Sequence, residues 1–258
     1  MDLIFEKYHG AGNDFILING FESQPDLSQE QVYSLCKRHT GIGADGLIII
    51  KPSEEADFYM DYYNADGKLG SLCGNGSRCA VQFAYAKGII EESCEFLASD
   101  GKHSASVLEG GRVDLKMAPV KEWEEHFDDL VIDTGSPHYI KEVYRLEKIN
   151  VISEGRKIRC SETYQNHGIN VNFVEENDSG FSMRTYERGV ENETQACGTG
   201  AVATALALNI WGRAESPISV QAPGGLLEIS FEKNEKGFHN IHLIGPAERV
   251  YSGKVRIQ

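Results

Sequence analysis

The sequence has few of the features that mark secreted, membrane-bound or nucleic-acid-binding proteins. No apolar run is long enough to cross a bilayer, and the first residues, MDLIFEKYHGAGND, lack the apolar core of a signal peptide. Lysine and arginine number 25 against 39 aspartates and glutamates, a net charge of −14, which disfavours polyphosphates and anionic membranes as partners. We therefore expect a cytoplasmic protein without nucleic-acid or membrane partners.

Proline and cysteine are also sparse. Seven prolines and a 41% hydrophobic composition allow a large core and argue against disorder. The six cysteines contain no C-x-x-C pair and are too scattered for a secreted disulfide scaffold, so we expect reduced thiols. Cys73 and Cys79 would point away from each other on one helix, which argues against a shared metal. We predict no metal site.

Hydrophobic periodicity predicts a mixture of strands and helices. A capping box at Ser28–Gln31 begins a helix that should run through Arg38, and two apolar helices should follow Cys73 and Cys197. The first half lacks the βαβ alternation of a doubly wound sheet. Alternating residues predict strands at Leu3–Tyr8, Phe15–Asn19, Leu47–Lys51, Phe58–Tyr63, Ser104–Leu108, Val113–Met117, Val131–Asp133, Asn170–Val174, Phe181–Tyr186, Leu226–Phe231 and Ile241–Leu243.

Three short segments recur in the same order in both halves of the chain. A shift of 124 places Cys73-Gly-Asn-Gly76 on Cys197-Gly-Thr-Gly200, and a shift of 123 places Gly12–Phe15 on Gly135–His138. A shift of 127 aligns residues 41–43 with 168–170. Such ordered repetition predicts two homologous lobes. We expect an N-terminal lobe of residues 1–118, completed by a C-terminal strand within 250–258, and a C-terminal lobe of residues 119–249.

Each Cys-Gly-X-Gly sequence begins an apolar helix. The cysteine and the next backbone N–H groups then lie at the positive end of the helix dipole, where an anion binds and the pKa of a thiol falls. Two such sulfurs on either side of a carboxylate-bearing carbon would suit removal of a proton from one face and delivery to the other. This chemistry needs no cofactor. We expect Cys36, Cys79, Cys94 and Cys160 to be buried space-filling residues.

Other patterns have competing interpretations. Gly41–Gly46 satisfies GxGxxG but follows a helix and precedes a strand, the reverse of a dinucleotide-binding turn. Gly198–Ala203 fits GxGxxA before a helix and is a more serious rival, against which its duplication at Gly74 argues. A redox protein that cycles a disulfide between Cys73 and Cys197, and a non-catalytic amino-acid-binding module, are further alternatives.

Six motifs together resemble the diaminopimelate epimerase family over nearly the whole chain. They are Gly10-Ala-Gly-Asn-Asp-Phe15, Gly41-Ile-Gly-Ala-Asp45, Tyr63-Asn-Ala-Asp-Gly67, Cys73-Gly-Asn-Gly-Ser-Arg-Cys79, Tyr186-Glu-Arg-Gly189 and Glu193-Thr-Gln-Ala-Cys-Gly-Thr-Gly200. The resemblance implies an α+β fold of two pseudo-symmetric lobes, each a mixed curved sheet around a central helix, with the active site in the cleft between them. It also implies epimerisation of L,L-2,6-diaminopimelate to the meso isomer, for lysine and peptidoglycan synthesis, without a cofactor.

The resemblance implies the site residues as well. Cys73 and Cys197 would be the catalytic pair, with Cys73 acting on the L centre and Cys197 on the D centre. Backbone groups of the two helix starts would bind the reacting carboxylate, and two side chains would hold the reacting amine. Further residues would bind the distal end of a diaminopimelate substrate, and a homodimer is possible. The implied binding residues are Asn13, Asn64, Gly74, Asn75, Ser136, Asn170, Glu187, Arg188, Gly198 and Thr199.

Two positions depart from the commonest family pattern. Ser136 stands where many members have Asn, which leaves the hydrogen bonds to the distal end of the substrate open, and Gly46 stands where some have Gln. A proline or hydroxyproline racemase of the same fold is the nearest alternative. Its members usually have His after the first Cys-Gly, where this chain has Asn75.

Overall fold

The computed structural model describes residues 2–70 and 73–257, which form two compact units. One unit contains the described residues up to Leu115 together with those from Gly245 onward, and the other spans Lys116–Ile244. Within the described residues no helix is long and apolar enough to span a bilayer.

The first unit is a mixed sheet with two helices. Its elements are β1 (Asp2–Gly10), β2 (Asn13–Asn19), α1 (Gln29–Cys36), β3 (Gly46–Lys51), β4 (Phe58–Asn64), α2 (Gly74–Ala86), β5 (Ser93–Ala98), β6 (Gly101–Leu108), β7 (Arg112–Met117) and β17 (Glu248–Arg256). The C-terminal strand β17 pairs antiparallel with β1. The apolar residues of β1, β2 and β3 pack under α1, whose buried residues include Val32 and Leu35.

A tight hairpin places the first functional candidate of this unit. Ala11 and Gly12 form the two-residue loop between β1 and β2, and both have positive φ angles, of 51° and 81°. This geometry matches the right-handed twist of the strands. Asn13 therefore begins β2 directly opposite Gly10, at the end of the sheet.

The second unit is also a mixed sheet with two helices. Its elements are β8 (Trp123–His126), β9 (Asp129–Asp133), β10 (Pro137–Glu142), α3 (Val151–Arg159), β11 (Asn170–Asn177), β12 (Gly180–Glu187), β13 (Asn192–Thr194), α4 (Gly198–Ile210), β14 (Ile218–Ala222), β15 (Gly225–Asn234) and β16 (Gly237–Pro246). Val171 and Phe173 of β11 and Tyr186 of β12 pack with Val151 of α3 in one apolar cluster.

The two units repeat one order of strand pairing. In the first, β1 and β2 are antiparallel, β2 and β3 parallel, β3 and β4 antiparallel, and β4 and β5 parallel. In the second, the same alternation joins β9, β10, β11, β12 and β14. A thirteen-residue helix lies between the fourth and fifth strands of each of these series, and ten residues of each helix are buried. Such helices form the centre of the core of each unit.

Most predicted elements are confirmed within a few residues. The capping box at Ser28 is present, but α1 ends at Cys36 rather than at Arg38 because Lys37 has an extended backbone. Helix α3 was not predicted, because it is only nine residues long, has Gly155 in its interior and contains just three apolar side chains from which to recognise a period. Strands β5, β8, β10, β13 and β14 were also not predicted. They are only three to six residues long.

Candidate active site

Cys73 occupies the N-cap position of α2, directly before the helix. Its sulfur accepts a hydrogen bond from the amide of Gly76 at 3.5 Å, and its side chain is half-buried. The first-turn amides of a helix have no intrahelical acceptor and form the positive end of the helix dipole. A thiolate and a carboxylate are both stabilised at such a position.

Two amide side chains and a buried arginine surround the first turn of α2. The side-chain oxygen of Asn13 lies 3.7 Å from the sulfur of Cys73 and accepts a hydrogen bond from Asn75 Nδ2 at 3.2 Å. Asn75 Oδ1 accepts from Arg78 Nη2 at 2.9 Å, and Arg78 Nη1 donates to the carbonyl of Gly74.

Arg78 is fully buried, and its three hydrogen bonds go to two backbone carbonyls and one amide oxygen. Among the described residues no carboxylate lies within ion-pair distance of its guanidinium. Burial lowers the pKa of Arg78, because a charge is costly in a medium of low dielectric. An anion at the start of α2 would offset this cost, and the Cys73 thiolate is one such anion.

Asp45 determines which way the amide of Asn13 faces. Asp45 Oδ2 accepts from Asn13 Nδ2 at 2.7 Å, so the Asn13 oxygen faces the cysteine sulfur. Arg38 Nη2 lies 2.5 Å from Asp45 Oδ1 in an ion pair. Arg38 also donates two hydrogen bonds to Asp14, which forms a second ion pair with buried Lys7. Burial alone would raise the pKa of Asp14, but hydrogen bonds from Arg38 and Lys7 lower it to about 2. The orientation of Asn13 therefore depends on an ionised network.

Asn64 ends β4 and accepts a hydrogen bond from the hydroxyl of Tyr62 at 3.0 Å. It pairs in register with Gly46 on β3. A Cβ atom on Gly46 would lie 2.6 Å from the Tyr62 ring and 2.7 Å from the carbonyl oxygen of Tyr63. The packing of Tyr62 therefore excludes a side chain at position 46, and Tyr62 supplies the polar contact to Asn64.

Cys197 occupies the N-cap of α4, with nearly the same backbone angles as Cys73. Its sulfur lies 3.5 Å from the hydroxyl of Thr199 and makes no cap hydrogen bond to the helix backbone. The hydroxyl of Thr134 donates to the carbonyl of Thr199 at 2.9 Å, which anchors the first turn. Cys197 is buried, with 7% of its surface exposed.

A line of hydrogen-bonded side chains, here called the polar line, runs from Thr199 through the buried residues His138 and Asn172 to Thr185. His138 Nε2 lies 2.9 Å from the Thr199 hydroxyl, and His138 Nδ1 lies 3.0 Å from Asn172 Nδ2. The hydroxyl of Thr185 donates to Asn172 Oδ1 at 2.8 Å. Burial, and then the positive charge of Arg188, lowers the pKa of His138 to about 3. The His138 ring is therefore neutral at neutral pH.

Asn170 joins Ser136 and Arg188 in a second polar group of this unit. Its Oδ1 accepts from the backbone N–H of Arg188 at 2.8 Å, and its Nδ2 donates to Ser136 Oγ at 2.7 Å and to the carbonyl of Pro137. Arg188 Nη2 lies 3.5 Å from Ser136 Oγ, and its Nη1 donates to the carbonyl of His167. Because Ser136 Oγ accepts two hydrogen bonds, its own proton is directed elsewhere. Glu187 ends β12 beside this group.

The predicted site residues thus form one group in each unit. The first group contains Asn13, Cys73, Gly74 and Asn75, with Asn64 at the end of β4; the second contains Ser136, Asn170, Glu187, Arg188, Cys197, Gly198 and Thr199. No role was predicted for Asp45, Arg78 or His138, although Asp45 and Arg78 lie in the quoted motifs and His138 ends the repeated segment Gly135–His138. Asn172 and Thr185 were not singled out. The available signal was the pair of asparagines at alternate positions of the otherwise apolar strand Asn170–Val174.

The other cysteines fall into two classes. Cys36, Cys79 and Cys94 are buried as expected, and burial raises the pKa of each; for Cys36 and Cys94 it reaches about 12. The expectation for Cys160 was wrong, because this residue follows α3 on the surface and is exposed. A buried position would require an apolar face, which the charged C-terminal turn of α3 does not offer.

Comparisons with known proteins agree with these motifs. The family model described as diaminopimelate epimerase matches residues 5–123 and 130–250. The chain is 45% identical to diaminopimelate epimerase of Flavobacterium psychrophilum, covering 95% of this chain and 97% of the relative. It is 43% identical to that of Chlorobaculum tepidum, covering 96% and 99%.

Solved structures with much lower sequence identity share the fold. A PhzF-family phenazine biosynthesis protein of Bacillus anthracis aligns with a TM-score of 0.79 at 15% identity, over the whole of both chains. A probable proline racemase of Agrobacterium radiobacter aligns with a TM-score of 0.72 at 16% identity, over 99% of this chain and 93% of the other. At these identities the likeness establishes the fold alone.

Proposed function

Because the chain belongs to the diaminopimelate epimerase family, we propose that Cys73 and Cys197 are the acid–base pair of its reaction. The family interconverts L,L- and meso-2,6-diaminopimelate, a step of lysine biosynthesis. The protein is accordingly an amino-acid epimerase, an isomerase. The two-cysteine mechanism and the individual residue roles are the proposed part.

In the proposed reaction the two sulfurs act on opposite faces of one α-carbon. One thiolate takes the α-proton, so that a C–H bond breaks, an S–H bond forms and the electron pair stays on the carbon. The other thiol then gives its proton to the opposite face of the carbanion and becomes a thiolate. Cys73 acts on the L centre and Cys197 on the D centre, and the two exchange roles with direction. No atom is gained or lost, and no electron is transferred to a third group.

The carbanion needs stabilisation, because an α-proton of an amino acid is only weakly acidic. We propose that the backbone N–H groups of Gly74, Asn75, Gly198 and Thr199 donate to the reacting carboxylate, since they belong to the first turns of two helices. Negative charge that spreads from the α-carbon into the carboxylate is then stabilised by donors fixed before the reaction.

The remaining residues would orient the substrate. Asn13 and Glu187 would hold the reacting amine, because an amide oxygen and a carboxylate both accept from an ammonium. Arg188 and Ser136 would bind the distal carboxylate. Ser136 Oγ accepts a hydrogen bond from Asn170, so its own proton can be donated to the carboxylate. Asn170 would act chiefly by orienting these two groups, and Asn64 would bind the distal amino-acid end.

One repeated arrangement carries the proposal. Each unit has a cysteine at the N-cap of a buried thirteen-residue helix, with a polar side chain beside the sulfur: Asn13 at Cys73 and Thr199 at Cys197. A structural cysteine has no need of such a position twice.

Single replacements test the pair. Cys73→Ala and Cys197→Ala should each abolish epimerisation of L,L-diaminopimelate, whereas Cys160→Ala, at an exposed position, should keep wild-type activity. Full activity in either of the first two variants would refute the two-base scheme. Proline serves as the control substrate, since its racemisation in place of diaminopimelate epimerisation would point to a proline racemase.

We also propose the cytoplasm as the compartment, because both catalytic thiols must stay reduced. A homodimer is a further prediction, which light scattering of the purified protein tests directly.

A further inference from the structure

Asn172 has no role in the scheme above, yet it lies at the centre of the second unit's strand pairing. It faces Thr185 directly across the antiparallel pair of β11 and β12. On the other side β11 runs parallel to β10, which carries His138. Asn172 is completely buried, and each of its two side-chain polar atoms is hydrogen-bonded.

The contacts of Asn172 determine which ring nitrogen of His138 carries the proton. Its Nδ2 faces the backbone carbonyl of Tyr139 at 3.5 Å, and a carbonyl can only accept, so this end of the amide must be the donor. The same Nδ2 faces His138 Nδ1, which must therefore be the unprotonated nitrogen of a neutral ring. His138 Nε2 then carries the proton and donates to Thr199 Oγ1. The hydroxyl proton of Thr199 is then available for donation to Cys197 Sγ, which lies 3.5 Å from the Thr199 oxygen.

We propose that Asn172, held by Thr185, is a positioning residue: it fixes His138 in the tautomer protonated at Nε2 and so makes Thr199 a hydrogen-bond donor to Cys197. A donor stabilises the thiolate form of Cys197. In the opposite tautomer, Thr199 would donate to His138 Nε2 and would accept from the cysteine, which favours the thiol. The inference rests on the proposed role of Cys197.

The first unit shows that the fold itself does not need these polar side chains. By strand register, Phe15 on β2 and Ile48 on β3 occupy the positions that His138 and Asn172 have on β10 and β11. A Cβ atom on Gly76 of α2 would contact Ile48 at 3.1 Å and Phe15 at 3.4 Å. Apolar packing thus suffices at these positions, and buried polar groups are more costly to place there. The polar line of the second unit therefore serves the sulfur rather than the core.

The helix also approaches Asn172 as closely as its backbone allows. A Cβ atom on Gly200 would lie 2.5 Å from Asn172 Oδ1 and 3.3 Å from the Cys197 sulfur. Only glycine, which has no Cβ atom, allows the helix backbone to lie this close to Asn172. Gly200 thus brings the first turn of α4 against the amide that orients the line.

The tautomer can be measured without any substrate. In protein labelled with ¹⁵N-histidine, the His138 signals, assigned by their loss in His138→Phe, should show Nε2 protonated and Nδ1 unprotonated. Asn172→Asp places a carboxylate, which can only accept, beside Nδ1 and should protonate that nitrogen. Thr185→Val removes the donor that holds Asn172 without adding charge and should weaken the preference for Nε2. Asn209→Asp, near the end of α4, is the matched control and should leave the His138 signals unchanged.

The consequence for the sulfur is measured by alkylation of Cys197 against pH in a Cys73→Ala background. Asn172→Asp should move the midpoint upward by about one pH unit, a roughly tenfold smaller thiolate fraction at neutral pH, and Thr185→Val should move it less in the same direction. A wild-type His138 protonated at Nδ1 would overturn the proposal. So would an Asn172→Asp protein with an unchanged alkylation midpoint. Activity surviving in Cys197→Ala would instead refute the proposed function and leave the tautomer result intact.

Discussion

The starts of α2 and α4 have nearly the same backbone but different chemical surroundings. Around Cys73 the supporting side chains are ionised: Arg78 is buried against the first turn, and Asn13 is oriented by Asp45 and Arg38. Around Cys197 the line of supporting side chains is neutral and buried. A duplicated scaffold therefore supports its two cysteines in two ways, with a full charge in one unit and with aligned hydrogen bonds in the other.

The difference has consequences for pH and salt. A full charge acts over a longer distance than a hydrogen bond, but partly exposed ion pairs such as Arg38–Asp45 are screened by salt. The neutral hydrogen-bonded side chains around Cys197 should be insensitive to salt, but they depend on His138 staying neutral. Mutations that remove a charge should therefore affect mainly Cys73, and mutations that change the direction of a hydrogen bond should affect mainly Cys197.

Removing the charge of Arg78 should have the greatest effect on the first half. Arg78→Met removes the cation beside the first turn of α2, and we expect the thiolate pKa of Cys73 to rise by about one unit or more. The measurement is the pH dependence of Cys73 alkylation in a Cys197→Ala background, with epimerase activity measured in the single variant. Arg78→Lys, which keeps the charge, should recover part of the effect. A folded Arg78→Met protein with an unchanged alkylation profile would contradict a role for the charge.

Replacing His138 and Asn172 by the apolar residues found at the matching positions of the first unit should change how the stability of the protein depends on acid pH. The pKa of His138 is about 3 in the folded protein against about 6.5 unfolded, so the unfolded state binds more protons between these values. The part of the folding stability that depends on a neutral His138 is therefore complete above about pH 6.5 and is lost as the pH falls. The double variant His138→Phe and Asn172→Ile lacks it.

Denaturant unfolding at pH 7 and pH 4 measures this effect. Over that interval the wild type should lose roughly 3 kcal/mol more of its free energy of unfolding than the double variant. Asp14 is not expected to distinguish the two proteins, because its pKa is lowered to about 2 in both and its stabilisation is lost only below about pH 4. Equal losses in the two proteins would show that His138 is not held neutral by burial.

Loosening the ionised network should have a moderate effect. Asp45→Asn keeps the shape of the side chain but offers Asn13 an amide in place of a carboxylate, so the Asn13 amide is no longer held in one orientation. We expect kcat/KM to fall by about tenfold, the cost of roughly one charge-assisted hydrogen bond. Asp100→Asn, an exposed carboxylate on the β5–β6 turn, is the control and should change kcat/KM little. Equal kcat/KM values for Asp45→Asn and Asp100→Asn would show that Asp45 is not needed to orient Asn13.

Cys160 should contribute least. Because it is exposed at the end of α3, Cys160→Ser should change the free energy of unfolding by less than about 0.5 kcal/mol and leave epimerisation unchanged. Thermal unfolding and initial rates together check this. A large loss would indicate that the residue has a structural partner.

The repetition of Cys-Gly-X-Gly predicted both helix starts because it combines a local signal with a duplicated position. Most strands were predicted from hydrophobic alternation alone. Strands such as β5 and β14 escaped prediction, since a few residues of alternation are common by chance. The roles of Asp45, Arg78 and Asn172 could not be predicted, because each depends on partners brought together by strand register or helix packing. Asn172, for example, is held by Thr185, which is thirteen residues away and on another strand.

The two-base reaction itself is tested most directly by the fate of the α-hydrogen. L,L-diaminopimelate is converted in D₂O to a small extent, and both the product and the residual substrate are examined by NMR and mass spectrometry. With Cys73 and Cys197 as separate acid and base, the meso product should carry deuterium at the inverted carbon while the residual substrate stays unlabelled. A meso product that retains the substrate's own hydrogen at that carbon would show one shared base and contradict the account.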